Sequence, residues 1–274
     1  LAIPHNDSRL RQWANFCEVG RGWQHWENHS LGHTTAGQAH QATGAPLEGG
    51  TVSLGDGGWA ILTFPQPFGD GPGPDLVVFE NAFNDGFLEL AFVEVSSDGQ
   101  HFVRFPASFG GDTLQQIGSF SYGRAEHYHN LAGKYRAGYG VGFDLAELQD
   151  SLGLDISRIS HVRVVDVVGC LSCQDTDNRD AQGRRINDPY PTPFDVGGFD
   201  LDAVGVCYPQ GLGQEELAAA LNRPDRTAHN DWALYDVQGR LLHRWQGQAL
   251  DLSQWPSAWY WLLSEQQGGL WVQP

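Results

Sequence analysis

Turn residues punctuate this chain too densely for long helices. Gly contributes 35 and Pro 14 of the 274 residues, about 18% against an average near 12%. Inside a helix each Gly costs about 1 kcal/mol and each Pro about 3 kcal/mol relative to Ala. The chain between turns is therefore left to short strands. Hydrophobic residues make up 41% and charged ones only 18%, enough apolar material for a core. The length suits one large all-β domain, alone or with a small appendage.

The apolar segments agree. Residues 51–54 and 59–64 flank Gly55-Asp56-Gly57-Gly58 and predict a hairpin. Leu76-Val77-Val78-Phe79 predicts a buried strand. Residues 88–96 and 101–105 predict a second hairpin around Ser97-Asp98-Gly99-Gln100, where Asp-Gly supplies the positive φ of a tight turn. Ala91, Val93 and Val95 share one face, and Phe92, Glu94 and Ser96 the other. That alternation predicts a half-buried antiparallel strand. Further strands are predicted over 161–168 and 199–208, with a helical turn or two over 144–149. Residues 106–143 and 169–197 read as long loops. Beyond residue 212, a short helix over 214–223 precedes four short strands, 232–237, 240–245, 259–263 and 270–272.

Asp and Glu total 33 against 16 Lys and Arg, for a net charge of −17. That balance argues against a nucleic-acid partner, which needs a basic face. No apolar run is long enough for a membrane-spanning helix. The chain begins at Leu1 and contains no Met, which suggests a mature, exported product. Four cysteines, Cys17, Cys170, Cys173 and Cys207, then suggest disulfides, with three possible pairings. Cys170-x-x-Cys173 reads as a loop staple, since no second pair with zinc-ligand spacing follows. Pairing of Cys17 with Cys207 is the alternative that would tie the N-terminal segment to a core strand.

Two segments carry a family resemblance. The hairpin Phe92-Val93-Glu94-Val95-Ser96-Ser97-Asp98-Gly99-Gln100-His101-Phe102 resembles one in galactose-binding-like, or discoidin-like, jelly-roll domains. The strands His161-Val162-Arg163-Val164-Val165-Asp166 and Phe199-Asp200-Leu201-Asp202-Ala203-Val204-Gly205-Val206 fit the same fold. With Gly71–Phe83 and Leu131–Tyr135, these blocks resemble a family of Bacteroidota cell-surface proteins over residues 50–207. Trp232–Leu242, Leu250–Tyr260 and Leu270–Gln273 are similar to type IX secretion sorting modules. The usual Tyr-Pro-Asn-Pro entry is absent, and Ala258 stands where Gly is expected. The resemblance implies a jelly-roll β-sandwich over 49–211. An irregular wrapping segment (1–48) precedes it; a linker with a short helix (212–230) and a C-terminal sorting-like β module (231–274) follow. It also implies an extracellular, outer-membrane-associated location, beside a TonB-dependent receptor or a secretion shuttle.

The acid-rich loops point to calcium, which prefers six to eight hard oxygens. The candidate ligands form three sets: Glu80, Asn81, Asn84 and Asp85; Asp175, Asp177, Asn178 and Asp180, with Asn187 and Asp188 further on; and Asp166, Asp200 and Asp202. The competing reading is solvated turn acids. On the third set, Asp200 and Asp202 are expected on the face that carries Val204 and Val206, with Arg163 or a cation as partner. The candidate ligand-binding rings are Trp23, Trp26, Tyr122, Tyr128, Tyr135 and Tyr139, because flat rings stack and their polar edges hydrogen-bond; the alternative is that they cover the loops' own core. No G-x-S-x-G, H-E-x-x-H or phosphate-binding loop is present. The resulting expectation is a non-catalytic surface binding protein, assisting an outer-membrane receptor in capturing cobalamin or a glycan. A structural adhesin or coat component is one alternative. A carbohydrate-active hydrolase is another, with Glu80, Glu94 and Glu126 as its first acids.

Overall fold

A computed structural model describes residues 2–210 and, beyond them, the strands 232–235, 241–245, 260–264 and 268–272. The chain divides into two compact units, Leu1–Gln210 and Gly211–Pro274.

The first unit is an all-β antiparallel sandwich. One sheet runs β1 (Ala2–Pro4), β11 (Tyr139–Phe143), β6 (Leu76–Glu80), β13 (Asp200–Val206) and β2 (Gln12–Trp13), with β4 (Val52–Ser53) also paired to β13. The other runs β3 (Phe16–Gly20), β5 (Trp59–Phe68), β12 (Ile159–Asp166), β7 (Ala91–Ser96) and β8 (Val103–Arg104). A small pair, β9 (Ser108–Phe109) and β10 (Tyr128–His129), sits in a long connection. The long strands β5, β6, β7, β11, β12 and β13 alternate between the sheets, the crossing pattern of a jelly roll. Leu62, Val93, Val95, Val162 and Val164 from one sheet meet Leu76, Val78, Val141, Phe143, Val204 and Val206 from the other in a single core.

Several elements differ from the sequence reading. Residues 51–54 and 59–64 form no hairpin: β4 pairs with β13 while β5 pairs with β3 and β12. Gly55 and Gly57, at φ 77° and 71°, carry the chain across from one sheet to the other. The N-terminal 48 residues are irregular over most of their length, yet supply β1, β2 and β3 to both sheets. β11 lies where a loop is expected. Gly140 and Gly142 fall within the expected loop 106–143, and an added Cβ there would meet Val77 at 2.4 Å and Ile3 at 2.7 Å. Close packing selects Gly at both positions. β7 is buried on both faces, not one, because Phe92 joins a second core with Leu88, Leu90, Phe109, Tyr128 and Ile186 from the long loops.

Asp144 starts a 3-10 turn over Leu145–Leu148 by accepting the Ala146 amide at 3.0 Å. Cys170 and Cys173 form a disulfide. Cys17 and Cys207 do not pair: both are buried free thiols, one on β3 and the other just after β13 in the opposite sheet. Burial pushes their thiols up to about 12 and about 11, which keeps them inert.

The second unit contains a four-stranded antiparallel sheet in the order β15 (Leu241–Trp245), β14 (Trp232–Tyr235), β16 (Tyr260–Ser264) and β17 (Gly268–Val272). The expected helix over 214–223 lies outside the described residues.

Candidate functional site at one end of the sandwich

Antiparallel pairing brings several strand ends together. Glu80 ends β6 opposite Leu201 of β13. Asp166 ends β12 opposite Ala91 of β7, and Val165 opposes Trp59 of β5. Glu80, Glu89, Asp166 and Asp200, with Asp56 just before β5, therefore converge on one end. Asp188 joins them from the loop after β12, through Leu90.

Most of these acids are occupied. Asp166 accepts the Phe199 amide at 2.7 Å and the Gly57 amide at 3.0 Å. Asp56 accepts the Trp26 amide at 2.7 Å and the Thr192 hydroxyl at 3.3 Å. Both oxygens of Asp188 share the Leu90 amide at 3.1 and 3.2 Å. Asp200 accepts from the Ser53 hydroxyl and from Asn81 Nδ2. Asp56, Asp166 and Asp188 thereby bind backbone amides of the connecting segments, which satisfies otherwise orphaned donors. Burial and then neighbouring like charges push Asp166 well above the ordinary carboxylate range. Burial likewise takes Asp56 up to about 7.

Glu80 and Glu89 stand apart. Both are buried. Glu80 Oε2 has no hydrogen-bond partner. Burial raises both carboxyls well above their ordinary value, and Glu80 is the strongest like charge acting on Glu89.

Above this end lies a row of rings. Phe83 stacks on Phe87 at 5.0 Å, Phe87 faces Phe120 at 6.3 Å, and Phe120 faces Phe194 at 5.8 Å. Tyr122 lies against Gly86, where a Cβ would stand 2.5 Å from its ring. Three loops carry the row and are tied together. Asn84 Oδ1 accepts the Gly86 and Phe87 amides. Gly123 N–H donates to the Gly86 carbonyl at 2.7 Å, and Tyr190 N–H to the Ile117 carbonyl at 3.3 Å. The Ser119 hydroxyl donates to the Pro191 carbonyl at 2.6 Å. Phe83, Phe120 and Tyr122 are 74%, 71% and 69% exposed. The row thus presents flat apolar ring faces to solvent.

Only part of the expected aromatic set belongs here. Tyr122 does. Tyr128 is a core residue, stacked on Phe109 at 5.4 Å. Tyr135 and Tyr139 line a separate cavity of about 180 Å³ with Ala2, Asp85 and Arg136. Trp23 is sandwiched between His29 and His33, each at 3.9 Å, and Trp26 packs against the Cys170–Cys173 region. Phe83, Phe87, Phe120 and Phe194 escape the sequence reading. Four Phe in Gly-rich polar loops are the signal that points to them.

The expected cation sets are dispersed. Asn81 lies against Thr51 and Asp200, Asn84 caps its own loop, and Asp85 pairs with Arg136 at 3.6 Å. Asp177 pairs with Arg104. Asp180 accepts three backbone amides, those of Phe109, Gln182 and Arg184, and pairs with Arg184. Asn178 bonds Arg185 and the Cys170 carbonyl. Asn187 is held by the 112–117 loop. Asp175 is exposed and joins none of these. Asp200 and Asp202 do not share the face of Val204 and Val206. Leu201 faces the core, and a β-bulge between Leu201 and Ala203 shifts the alternation by one. Asp202 instead accepts the Leu47 amide at 3.1 and 3.2 Å, and Arg163 pairs with Glu94. Elsewhere, Asp70, Asp75 and Asp144 bring three carboxylate oxygens within 4.8 Å of one another. Asp75 there accepts the Gly71 and Leu145 amides; burial takes it up to about 7.

A protein carrying Asp56 and Asp75 in this state has a definite pH response. A raised pKa means that the folded form holds its proton more tightly than the unfolded form. The resulting stabilisation is complete below about pH 4 and is lost as pH rises to about 7. The melting temperature is therefore expected to rise as pH is lowered from 8 to 5.5. A melting temperature that falls over this interval contradicts the assignment.

Neither a protein-family model nor a curated protein matches the chain.

Proposed function

We propose that this chain is a non-catalytic, cell-surface binding protein whose ligand face is the row Phe83, Phe87, Phe120 and Phe194, with Tyr122 beside it. The continuity of that row across three mutually tied loops carries the reading. Rings held by backbone hydrogen bonds lose little freedom when a ligand stacks on them. The exposed acids Asp85 and Asp195 lie in the loops that carry the row and are our candidates for accepting hydroxyls. A glycan suits this surface, with its apolar ring faces on the Phe row and its hydroxyls at the edge. Cobalamin is the alternative ligand. Extracellular display and service to an outer-membrane TonB-dependent receptor rest on the family resemblance. The Cys170–Cys173 disulfide agrees with an oxidising compartment.

The test pairs full-length protein with its Phe87→Ala/Phe120→Ala variant on an immobilised polysaccharide panel, with cobalamin as a separate probe. Each stacked ring contributes about 0.5–1.5 kcal/mol, so the variant is expected to bind about tenfold more weakly, with an unchanged melting temperature. Undiminished binding by the variant removes the row from the site. Co-purification from the native outer membrane tests the partner: a receptor at matched stoichiometry supports the reading, and a secretion shuttle alone overturns it.

A further inference from the structure

Among the described residues, the end of the sandwich beneath the aromatic row holds a concentration of carboxylates that no basic side chain pairs with. Arg21 acts on Asp200 through its charge, but its guanidinium is spent on the carbonyls of Ala36, Gly37 and Ser53. The surrounding acids have roles: Asp56, Asp166 and Asp188 hold loop backbone as described above. Glu80 fits it only in part, because the Asn81 and Ala82 amides reach its carboxylate and one oxygen is left over, and Glu89 does not fit it. Glu80 is 2% exposed and Glu89 7%, and Glu80 Oε2 is buried with no partner. Glu89 accepts no hydrogen bond from any described residue. An ionised carboxylate oxygen buried without a partner costs several kcal/mol, and Glu89 also feels Asp200, Asp188 and Asp166, while Glu80 feels Asp200 and Asp202.

We propose that Glu80 and Glu89 bind one calcium ion between the end of β6 and the segment entering β7, with Asp200 beside it. The donors are all hard oxygens. A bound cation would partner Glu80 Oε2 and offset the repulsion between the two glutamates. Among the described residues, three carboxylate oxygens are not drawn within 4.8 Å at this point. Two side chains therefore supply part of the shell, and backbone carbonyls and water complete it, as calcium's six to eight ligands allow. The ion would join the two ends of the loop 81–90 and so brace Phe83 and Phe87. The assignment does not rest on the ligand reading above, since it concerns the buried acids and not the exposed rings.

The experiment uses full-length protein stripped with chelator and titrated calorimetrically with calcium chloride, alongside thermal unfolding in calcium or EDTA. One calcium per chain is expected. A hundredfold excess over the dissociation constant is expected to raise the melting temperature by roughly 5–10 °C. Glu80→Gln and Glu89→Gln are each expected to weaken calcium binding at least about tenfold, while Asp175→Asn leaves it unchanged. If Glu80→Gln fails to fold, Glu89→Gln and the stripped wild type give the same answer. No heat and no thermal shift overturn the proposal. So does calcium binding that survives both glutamate substitutions, or a calcium-insensitive chain stabilised by Glu80→Gln, which would show two acids sharing a proton. Polysaccharide binding by the Phe variants is read separately, so failure of one reading leaves the other intact.

Discussion

Asp166→Ala is expected to destabilise the sandwich by about 4 kcal/mol. Its carboxylate joins three pieces of chain at one end of the sandwich: the end of β12, the Asp56-Gly57 crossover and Phe199 at the entry to β13. Gly57 and Phe199 belong to segments leading into opposite sheets. Each amide loses a buried acceptor in the variant, at about 1–3 kcal/mol apiece. Relief of repulsion with Asp56 and Asp200 opposes this loss. It is smaller, because the like charges are themselves hydrogen-bonded and raised towards neutrality. Asp166→Asn keeps one acceptor and should lose about half as much. Hydrogen exchange in β12 and β13 of the full chain reports the opening energy of this unit separately from the second. A loss below about 1 kcal/mol would mean that water replaces the carboxylate at both amides, and the staple would be discarded.

Glu94→Ala carries the second large effect, about 3 kcal/mol. Glu94 lies on β7 with its side chain 5% exposed. One oxygen receives Arg104 Nε and Nη2, both at 2.8 Å, and the other receives Arg163 Nε and Nη2, both at 2.5 Å. Arg104 also reaches Asp177 at 2.7 Å, which ties the second long loop to β8. The guanidinium groups lie over Phe92 at 4.1 Å and Phe102 at 4.3 Å, so their loss of order also loosens those rings. Both Arg side chains are about a third exposed and can turn to water, which holds the cost at the low end for a buried pair. A double-mutant cycle of Glu94→Ala with Arg163→Met measures the coupling. A coupling under about 0.5 kcal/mol would place the network with ordinary surface pairs. With each oxygen gripped by a guanidinium, Glu94 is poorly placed for the acid or base of a hydrolase.

The strands read well from sequence where alternation and turn chemistry agree. Ala91, Val93 and Val95 face the core as their period of two predicts, and Asp98-Gly99 turns the chain with Gly99 at φ 76°. Where a residue type serves two purposes, the reading fails. Gly55-Asp56-Gly57-Gly58 has the composition of a hairpin turn, yet it crosses between sheets. The deciding contacts come from Trp26, Thr192 and Asp166, more than 25 positions away in the chain. Gly140 and Gly142 resemble loop glycines, yet they let β1 and β6 pack closely on β11. The bulge after Leu201 has no local signature in Asp200-Leu201-Asp202, and it reverses which face those acids occupy.

The candidate site divides in the same way. Composition marks the loops as rich in acids and rings, and Glu80 and Tyr122 are found by that route. Their partners are not. Asp175, Asp177 and Asp180 stand close in sequence but are taken by solvent, Arg104 and Arg184. Glu80 and Glu89 are separated by a loop of eight residues, and the sandwich buries both at the same end, Glu80 where β6 ends and Glu89 just before β7 begins. The sequence by itself determined an all-β chain, because turn residues this frequent leave no room for helices and period-two segments need a shared core. Tertiary structure decided which acids are structural and which remain unpartnered, because that depends on loop amides brought together from distant parts of the chain.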